Sequence, residues 1–398
     1  MRELIIIENQ NERKIAYVEN GNLIEYYKEQ EDKKRLEGNV YVGKVVDVLP
    51  GMQAAFIDIG EEKNTFLHIR DVLPKKSNVT GNKEEDLEQY RIKDYIKPNQ
   101  MLMVQVKKDS TNIKGARVST NIQLPGRFVV VLPENDFITV SQKIEDEQER
   151  NRLINIVQKI KNDKKIGIII RTAAEGKDES SIKKDIENTI KKLENIQNEF
   201  EKVKEKNKPM ILQKSDTILE KLLLDISDNN LDKICVNSTK LKKEVENILM
   251  QIQENTDILV EYQEKDLEDK YDLLKQIEKI QNRKIWLKCG GFITIDKTEA
   301  LTAIDVNSGK FTGKQDLEST VVKVNKEASI EITKQLRLRD IGGIIIIDYI
   351  DMNEEKSKEK VIETLKQSLK EDRSKTQIMQ FTKLNLLEMT RKHMFSGE

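Results

Sequence analysis

Short alternations of apolar and polar residues open the chain. Residues 1–35 include the stretch IAYVENGNLIEYY, in which Asn20 and Gly21 have the composition of a tight hairpin turn. A block of short β-branched runs follows, from NVYVGKVV to IRDVLP, and MLMVQVKK continues as a strand after a polar stretch at 75–97. This pattern predicts a hairpin followed by a small β-barrel with an inserted loop.

Helical spacing dominates the middle of the chain. One apolar stripe runs through residues 178–206 at steps of four and three, which is the period of an amphipathic helix. Its members are Ile182, Ile186, Ile190, Leu193, Ile196 and Phe200. A charged helix is predicted at about 144–163, ahead of the strand KIGIIIRTA, and another helix at 264–282. The segments 210–225 and 231–262 mix both patterns.

Apolar strands alternate with helices from Ile285 onward. KIWLKCGGFITIDKTEALTAIDVNSG has the pattern of strands joined by turns, and GGIIIIDYIDM has that of a fully apolar strand up to its aspartates. Helices are predicted at 315–336 and 354–371. For a chain of 398 residues, the whole pattern predicts an α/β or α+β protein of about two to three domains.

Composition excludes several classes of protein. No apolar run approaches the roughly 18–20 residues of a membrane span, and the N-terminal MRELIIIENQNERK does not resemble a signal peptide, so we expect a cytoplasmic protein. Two distant cysteines, Cys235 and Cys289, argue against a disulfide scaffold and a CxxC zinc site. Two histidines, His68 and His393, give poor support to a His-centred triad. The abundant carboxylates favour a hard cation such as Mg²⁺.

The net charge of −1 does not by itself indicate a nucleic-acid binder, so binding RNA requires a local basic surface. The segment 373–392 is a candidate, because it contains five basic residues and a single acidic residue, Glu388. The basic residues are Arg373, Lys375, Lys383, Arg391 and Lys392. An ordinary solvated helix face is the alternative interpretation of each one.

Two aspartates stand at the ends of predicted strands. In LTAIDVNSG, Asp305 and Asn307 are two residues apart, so both side chains point to the same side of a strand that SGKFTG then interrupts. In GGIIIIDYIDM, Asp348 ends a run of four isoleucines, and Asp351 faces away from it on an extended chain. We therefore pair Asp305 with Asp348.

Two neighbouring carboxylates repel each other, and each raises the pKa of the other unless a cation joins them. Mg²⁺ resolves this conflict, since it is commonly held by one or two carboxylates together with water and substrate phosphate. It can also activate water and stabilise charge on a phosphodiester. The alternative is that each aspartate caps a turn or pairs with an arginine such as Arg337 or Arg339.

Three long segments resemble a known family. GGFITIDKTEALTAIDVNSGKFTG, QLRLRDIGGIIIIDYIDM and LNLLEMTRK resemble the catalytic region of the ribonuclease E/G family of bacterial endoribonucleases, and the likeness extends over essentially the whole chain. The resemblance implies an RNase H-like subdomain in two parts, 1–35 and 215–280, an OB-fold (S1-type) RNA-binding barrel at 36–118, a 5′ sensor at 119–214 and a DNase I-like catalytic subdomain at 281–398.

The resemblance also implies an activity. Asp305 and Asp348 would coordinate Mg²⁺ as catalytic residues and Asn307 would orient the site. Single-stranded RNA would be cleaved to a 5′-phosphate and a 3′-hydroxyl, in messenger RNA decay and ribosomal RNA processing. The family commonly has a CPxCxG zinc motif that links protomers, and this sequence does not contain it, so zinc is not expected and a homodimer is left open. The alternative function is an RNA-binding adaptor that keeps the RNA channel without cleaving.

By the same resemblance, Phe56, Phe66 and Lys114 of the barrel contact RNA. The two phenylalanines lie on what the pattern indicates are adjacent strands, and stacking of a base on an aromatic ring is worth about 1–3 kcal/mol. From the residues alone, the alternative is that both rings fill the barrel and that Lys114 is an ordinary surface charge.

A pocket for a 5′-monophosphate is implied at Gly126, Val130, Arg171 and Thr172. Arg171 offers a planar set of donors and Thr172 a hydroxyl, both at the end of the strand IGIII. Alone, this arrangement is also common on ordinary surfaces. A triphosphate would fit less well, so the resemblance predicts a preference for 5′-monophosphorylated RNA.

Overall fold

A computed structural model describes residues 1–30, 35–73, 90–110, 114–162, 164–226, 231–252, 258–264, 267–309 and 317–394. Two compact units are formed, one by Met1–Lys33 with Asn229–Phe395 and the other by Lys34–Asp228 with Ser396–Glu398. In the described ranges, none of the helices is long and apolar enough to cross a membrane.

The strands of the described residues are numbered in chain order. They are β1 Arg2–Glu8, β2 Glu12–Glu19, β3 Asn22–Gln30, β4 Val40–Leu49, β5 Ala54–Asp58, β6 Thr65–His68, β7 Met101–Lys108, β8 Arg117–Ser119, β9 Leu124–Pro125, β10 Val129–Pro133, β11 Ile138–Val140, β12 Ile166–Ile170, β13 Met210–Gln213, β14 Lys233–Val236, β15 Leu259–Tyr262, β16 Lys284–Trp286, β17 Phe292–Lys297, β18 Leu301–Asn307, β19 Gly343–Asp348, β20 Thr376–Phe381 and β21 Leu386–Arg391.

The α-helices of the same residues are numbered likewise. They are α1 Ile92–Tyr95, α2 Glu147–Lys161, α3 Glu179–Val203, α4 Ile218–Ile226, α5 Thr239–Ile252, α6 Leu267–Lys270, α7 Leu273–Ile280, α8 Leu317–Leu338 and α9 Glu355–Leu369.

The first unit contains two sheets, and the smaller one begins with the predicted hairpin. Its strand order is β15-β14-β1-β2-β3, and the β2–β3 turn is made by Asn20 and Gly21, both with positive φ. The helix predicted at 264–282 is interrupted instead, because Asp272 takes a left-handed backbone conformation between α6 and α7.

The larger sheet of the first unit has the order β16-β17-β18-β19-β21-β20. Helices α8 and α9 contribute to the core on one of its faces, where Val324, Ile332 and Leu365 are fully buried. The sequence pattern predicted a fully apolar strand at the four isoleucines of β19, but not all four lie in this core. Ile345 is fully buried whereas Ile344 is 51% exposed, so the other face of the sheet is open to solvent.

The second unit contains the predicted barrel. Strands β4, β5, β6, β8 and β7 pair in that order and β7 pairs back with β4, which closes five strands, while β13 adds to the outside of β4. The polar segment at 75–97 falls partly at 74–89, outside the described residues, and 92–95 forms the short helix α1.

A four-stranded sheet, β11-β12-β10-β9, completes the second unit. The apolar stripe of α3 faces its core as predicted, and only Phe200 at the end of the stripe is half-buried. The charged helix also forms as α2, with Leu153 and Val157 fully buried. Both helices were therefore predicted correctly to within a few residues, α3 by its hydrophobic spacing of four and three.

The basic segment at 373–392 forms strands, and the prediction that all its basic residues make one RNA-binding surface is wrong. Arg391 is 2% exposed, and its Nε donates to Oδ2 of Asp372 at 2.7 Å. Arg373 is largely buried and pairs with Glu25. Both arginines are used inside the fold, because a buried guanidinium needs a carboxylate partner. The three lysines, Lys375, Lys383 and Lys392, are exposed.

We expect Asp372→Ala to lower the free energy of unfolding by about 3–5 kcal/mol, because it removes a carboxylate from the buried Arg391. Urea or thermal unfolding followed by circular dichroism measures this. The double variant Asp372→Leu/Arg391→Met should recover much of the loss, and the exposed Lys375→Ala should change stability by less than about 0.5 kcal/mol. An Asp372→Ala protein as stable as the wild type would contradict a structural role for this pair.

Candidate active site

Asp305 and Asp348 occupy matching positions on two parallel strands. β18 and β19 pair in register with Asp305 opposite Asp348, which puts their Cα atoms about 4.8 Å apart. Both side chains lie on the exposed face of the sheet. The neighbouring Ile304 and Ile347 point into the core and are 1% and 0% exposed. The predicted juxtaposition of the two aspartates is therefore confirmed.

Asn307 holds Asp305 in place. Its Nδ2 donates a hydrogen bond of 2.7 Å to Oδ2 of Asp305. The two residues share a face of β18 because they are two positions apart on one strand. The amide adds no charge, so it fixes the direction of the carboxylate without changing the charge of the site.

The charge around Asp348 is unfavourable without a cation. Partial burial at the strand end raises the pKa of Asp348, and the negative charges of Asp305 and Asp351 raise it further. Asp351 was expected to face away, but β19 ends at Asp348 and the strand alternation does not continue to it. Asp351 also lies 3.4 Å from the donating Nδ2 of Asn385. A third carboxylate thus adds to the local negative field, which sequence spacing did not indicate.

The arginines proposed as alternative partners are used elsewhere. Arg337 pairs with Glu25 at 3.1 Å and with Glu371 at 3.3 Å. Arg339 donates to the side chain of Gln335 and to the backbone carbonyl of Asn282. The interpretation in which these arginines neutralise the two aspartates is therefore wrong.

The chemistry of the donors fits a hard cation. Asp305 and Asp348 offer carboxylate oxygens from adjacent strands, on a face that solvent and phosphate can reach. Within the described ranges, no cluster of three or more His, Cys, Asp and Glu side chains is arranged to hold a metal. A cation at this pair would therefore take its other ligands from water and phosphate, which is the usual way in which Mg²⁺ is bound.

Phe56 and Phe66 lie on the outer surface of the barrel. They are opposite each other on β5 and β6, with ring centroids 6.2 Å apart in an edge-to-face arrangement. Ile57 and Leu67, the next residues along, fill the barrel and are fully buried. The alternative in which both phenylalanines fill the barrel is therefore wrong.

Two further residues border this aromatic surface. His68, which the sequence did not single out for this role, stacks on Phe66 at 6.4 Å. Partial burial and the nearby Arg117 lower the pKa of His68, because both disfavour the charged form of its ring. Lys114 is exposed and lies two residues before Ala116, whose carbonyl accepts from the backbone N–H of Phe66.

The four residues of the predicted phosphate pocket lie together at one end of the β9–β10–β12 sheet. Nη1 of Arg171 donates to the carbonyl of Gly126 at 2.9 Å, and Oγ1 of Thr172 is 2.9 Å from Oγ of Ser141. Val130 pairs with Ile169, two residues before Arg171. The same arginine also pairs with the carboxylate of Asp225.

Asp185 occupies a second anion position in this region. Its carboxylate accepts the backbone N–H groups of Arg127, Phe128 and Val129 at 2.8–3.1 Å. A Cβ added at Gly126 would lie 2.6 Å from Oγ1 of Thr189 and 2.7 Å from Oδ2 of Asp185, so a larger residue would displace this hydrogen-bonded carboxylate. Burial raises the pKa of Asp185 although these hydrogen bonds oppose it. Asp185 and Asp225 were missed, because their partners are more than 50 residues away in sequence.

Comparisons with known proteins agree with the motifs. The sequence model of the Ribonuclease E/G family matches residues 123–394. Ribonuclease G of Salmonella typhimurium (strain SL1344) and that of Escherichia coli (strain K12) are each 39% identical over 392 residues, which cover 98% of this chain and 79% of each relative. Ribonuclease E of Nostoc sp. (strain PCC 7120 / SAG 25.82 / UTEX 2576) is 36% identical over 361 residues, 89% of this chain and 51% of that protein.

The resemblance predicted from the aspartate strands is confirmed, and the prediction of an endoribonuclease is confirmed at the level of the family. The mixed α/β architecture with a closed five-stranded barrel also agrees with the predicted S1-like domain. This chain belongs to the ribonuclease E/G family.

Proposed function

We propose that this chain is a Mg²⁺-dependent endoribonuclease that hydrolyses single-stranded RNA to a 5′-phosphate and a 3′-hydroxyl. The observation that supports this most strongly is the in-register pairing of Asp305 with Asp348, with Asn307 bonded to Asp305. The pairing gives two hard oxygen donors on a solvent-facing sheet surface. The names of the related ribonucleases G and E support RNA as the substrate.

In this mechanism, Asp305 and Asp348 hold the ion, and Asn307 keeps the carboxylate of Asp305 in a single direction. When bound, Mg²⁺ lowers the pKa of water and stabilises the charge that develops on the phosphodiester. The protein contributes fixed geometry, since strand pairing sets the separation of the two carboxylates before any ligand arrives.

The barrel is proposed to hold the RNA strand. Phe56 and Phe66 offer ring edges and faces at the outer surface, where a base can stack, and the exposed Lys114 is placed to contact phosphate. Stacking is tolerant of sequence, because every base has a π-face. The barrel therefore supports binding of single strands without strict sequence preference.

Gly126, Val130, Arg171 and Thr172 are proposed to bind a 5′-monophosphate. This proposal is supported by their convergence at one end of the β9–β10–β12 sheet and by the planar donors of Arg171. In the absence of RNA the guanidinium is held by Asp225, so a phosphate has to compete with that carboxylate. A bulkier triphosphate would be disfavoured at this edge.

The five-part domain organisation given by the resemblance is part of the proposal. The sheet that joins β1–β3 to β14 and β15 supports an RNase H-like subdomain built from distant parts of the chain, at 1–35 and 215–280. The remaining boundaries are 36–118, 119–214 and 281–398. We propose a cytoplasmic role in messenger RNA decay and ribosomal RNA processing.

We expect Asp305→Asn to reduce cleavage of a short 5′-monophosphorylated, AU-rich single strand by about 10²–10³-fold or more, because it removes one of the two carboxylates that would hold Mg²⁺ at the reacting phosphate. Asn307→Ala should cost less, about 10–100-fold, since it acts through Asp305. Gel-resolved cleavage with added Mg²⁺ measures both, and Glu363→Gln, an exposed carboxylate on α9, is the matched control. A wild-type protein that binds this RNA but does not cleave it at any Mg²⁺ concentration would favour the RNA-binding adaptor.

We expect Asp348→Asn to raise the melting temperature of the metal-free protein slightly, by about 1–2 °C, because it relieves repulsion with Asp305 and Asp351. Added Mg²⁺ should raise the melting temperature of the wild type but not that of Asp348→Asn, since the variant lacks one ligand. Differential scanning calorimetry with and without Mg²⁺ measures this. An equal rise in melting temperature with Mg²⁺ in both proteins would contradict the assignment of Asp348 as a metal ligand.

We expect Arg171→Ala to reduce the preference for 5′-monophosphate over 5′-hydroxyl RNA by about 10-fold or more, leaving slow cleavage, because charge-assisted hydrogen bonds are lost. Asp225→Asn should keep or increase the preference, since it frees the guanidinium from its internal carboxylate. Cleavage rates of the two RNAs, compared for each variant, give the ratio. A loss that is equal on both RNA ends would contradict the assignment.

A further inference from the structure

An aromatic pair, the exposed Trp286 and the half-buried Phe292, stands at the edge of the sheet that carries Asp305 and Asp348. Trp286 lies on the edge strand β16 and is 61% exposed, which is unusual for the largest apolar side chain. Its ring centroid is 5.3 Å from that of Phe292 on β17, in an edge-to-face arrangement. Nζ of Lys284 lies 4.2 Å from the Trp286 centroid and 3.6 Å from the Phe292 centroid. We call these three residues the aromatic platform.

The platform is in register with the candidate active site. Trp286 is opposite Phe292, and Phe292 is opposite Asn307, so the three form one row across the exposed face. Strand spacing puts the Cα atom of Phe292 about 4.8 Å, and that of Trp286 about 10 Å, from the Cα atom of Asn307. The adjacent row contains Lys284, Thr294 and Asp305 in the same order. A ligand that is bound at the two aspartates and extends toward β16 would therefore lie over the platform.

Neither ring belongs to the core of the sheet. The core of the sheet lies on the opposite face, where Leu287, Ile293 and Val306 are buried. An exposed indole packed against a second ring and a lysine offers a flat apolar surface on which a ligand can stack. Trp286 is flanked by positive charge in the sequence RKIWLK, where Lys284 and Lys288 are basic and Arg283 pairs with Asp296.

We propose that the aromatic platform stacks a base of the single-stranded RNA next to the phosphodiester held at Asp305 and Asp348. This rests on the proposed function and adds a binding subsite to it. An aromatic face beside a cation suits a nucleotide, whose base stacks while its phosphate is neutralised. A protein partner with an apolar surface would not need the surrounding basic residues. The platform acts by binding and positioning, and it takes no part in the chemical step.

Trp286 is the only tryptophan in the sequence, so its fluorescence reports on this site alone. In an Asp305→Asn background, which blocks cleavage, titration with a short single-stranded RNA should quench the emission saturably. An otherwise identical RNA with an abasic residue beside the intended cleavage position should quench much less. Quenching that is the same for both RNAs would overturn the stacking of a base at Trp286.

Cleavage kinetics give a second, independent readout. Trp286→Ala should raise KM for RNA by about 5- to 50-fold with kcat little changed, because stacking binds ground state and transition state alike. Trp286→Phe should retain most of the affinity, and Ile330→Ala, which removes a 54% exposed side chain of α8, is the matched control. Thermal unfolding of each variant checks that the fold is intact.

The outcomes separate this inference from the proposed function. Failure of the wild type to cleave RNA would refute the endoribonuclease, while the fluorescence titration would still test the platform. Normal cleavage with an unchanged KM in Trp286→Ala would overturn the platform and leave the proposed function standing. A change in sedimentation of Trp286→Ala, with KM unchanged, would overturn it in favour of contact between copies of this chain.

Discussion

The parallel pairing of β18 with β19 is the constraint on which the candidate site depends. The backbone hydrogen bonds between the strands fix Asp305 opposite Asp348, although the negative charges of the two side chains repel each other. Two carboxylates in solution would move apart, whereas strand pairing limits how far these two can separate, and their repulsion contributes to the raised pKa of Asp348. Burial of Ile304, Ile345 and Ile347 on the opposite face of the same strands stabilises the sheet and offsets this repulsion.

The same separation of faces recurs in the barrel and in the larger sheet. Each strand places one set of side chains in a core and the alternate set in solvent, since the side-chain period is two residues. Ile57 and Leu67 fill the barrel, which leaves Phe56 and Phe66 outside. Stability and the proposed binding of RNA are thus carried by different residues of the same strands, so a substitution on the outer face can change binding without emptying the core.

Internal carboxylates fill the proposed phosphate pocket in a different way. Asp185 accepts three backbone N–H groups and Asp225 pairs with Arg171, so donors suited to an anion are satisfied within the fold. Unsatisfied donors at this sheet edge would be costly. An external phosphate in the proposed pocket would gain only the difference between its own contacts and those of Asp225. Such competition suits a sensor whose occupancy responds to the chemical state of an RNA end.

Sequence alone predicted most of the periodic elements and the residues of the candidate site. The period of two placed Asp305 and Asn307 on one face, the spacing of four and three predicted α3, and the long motifs indicated the family. These are local properties, or ordered strings of residues, and both can be read without coordinates. The hairpin turn at Asn20 was likewise determined by local backbone preference.

Tertiary structure decided which distant residues meet. Several contacts join segments that are distant in sequence, and no local pattern predicts that these segments meet. They are the pairing of Arg171 with Asp225, the burial of Arg391 against Asp372 and the row from Trp286 to Asn307. A basic residue looks the same in a sequence whether it faces solvent or a buried carboxylate. Only strand order and register determine that choice, because they fix which side chains share a face and which lose their contact with water.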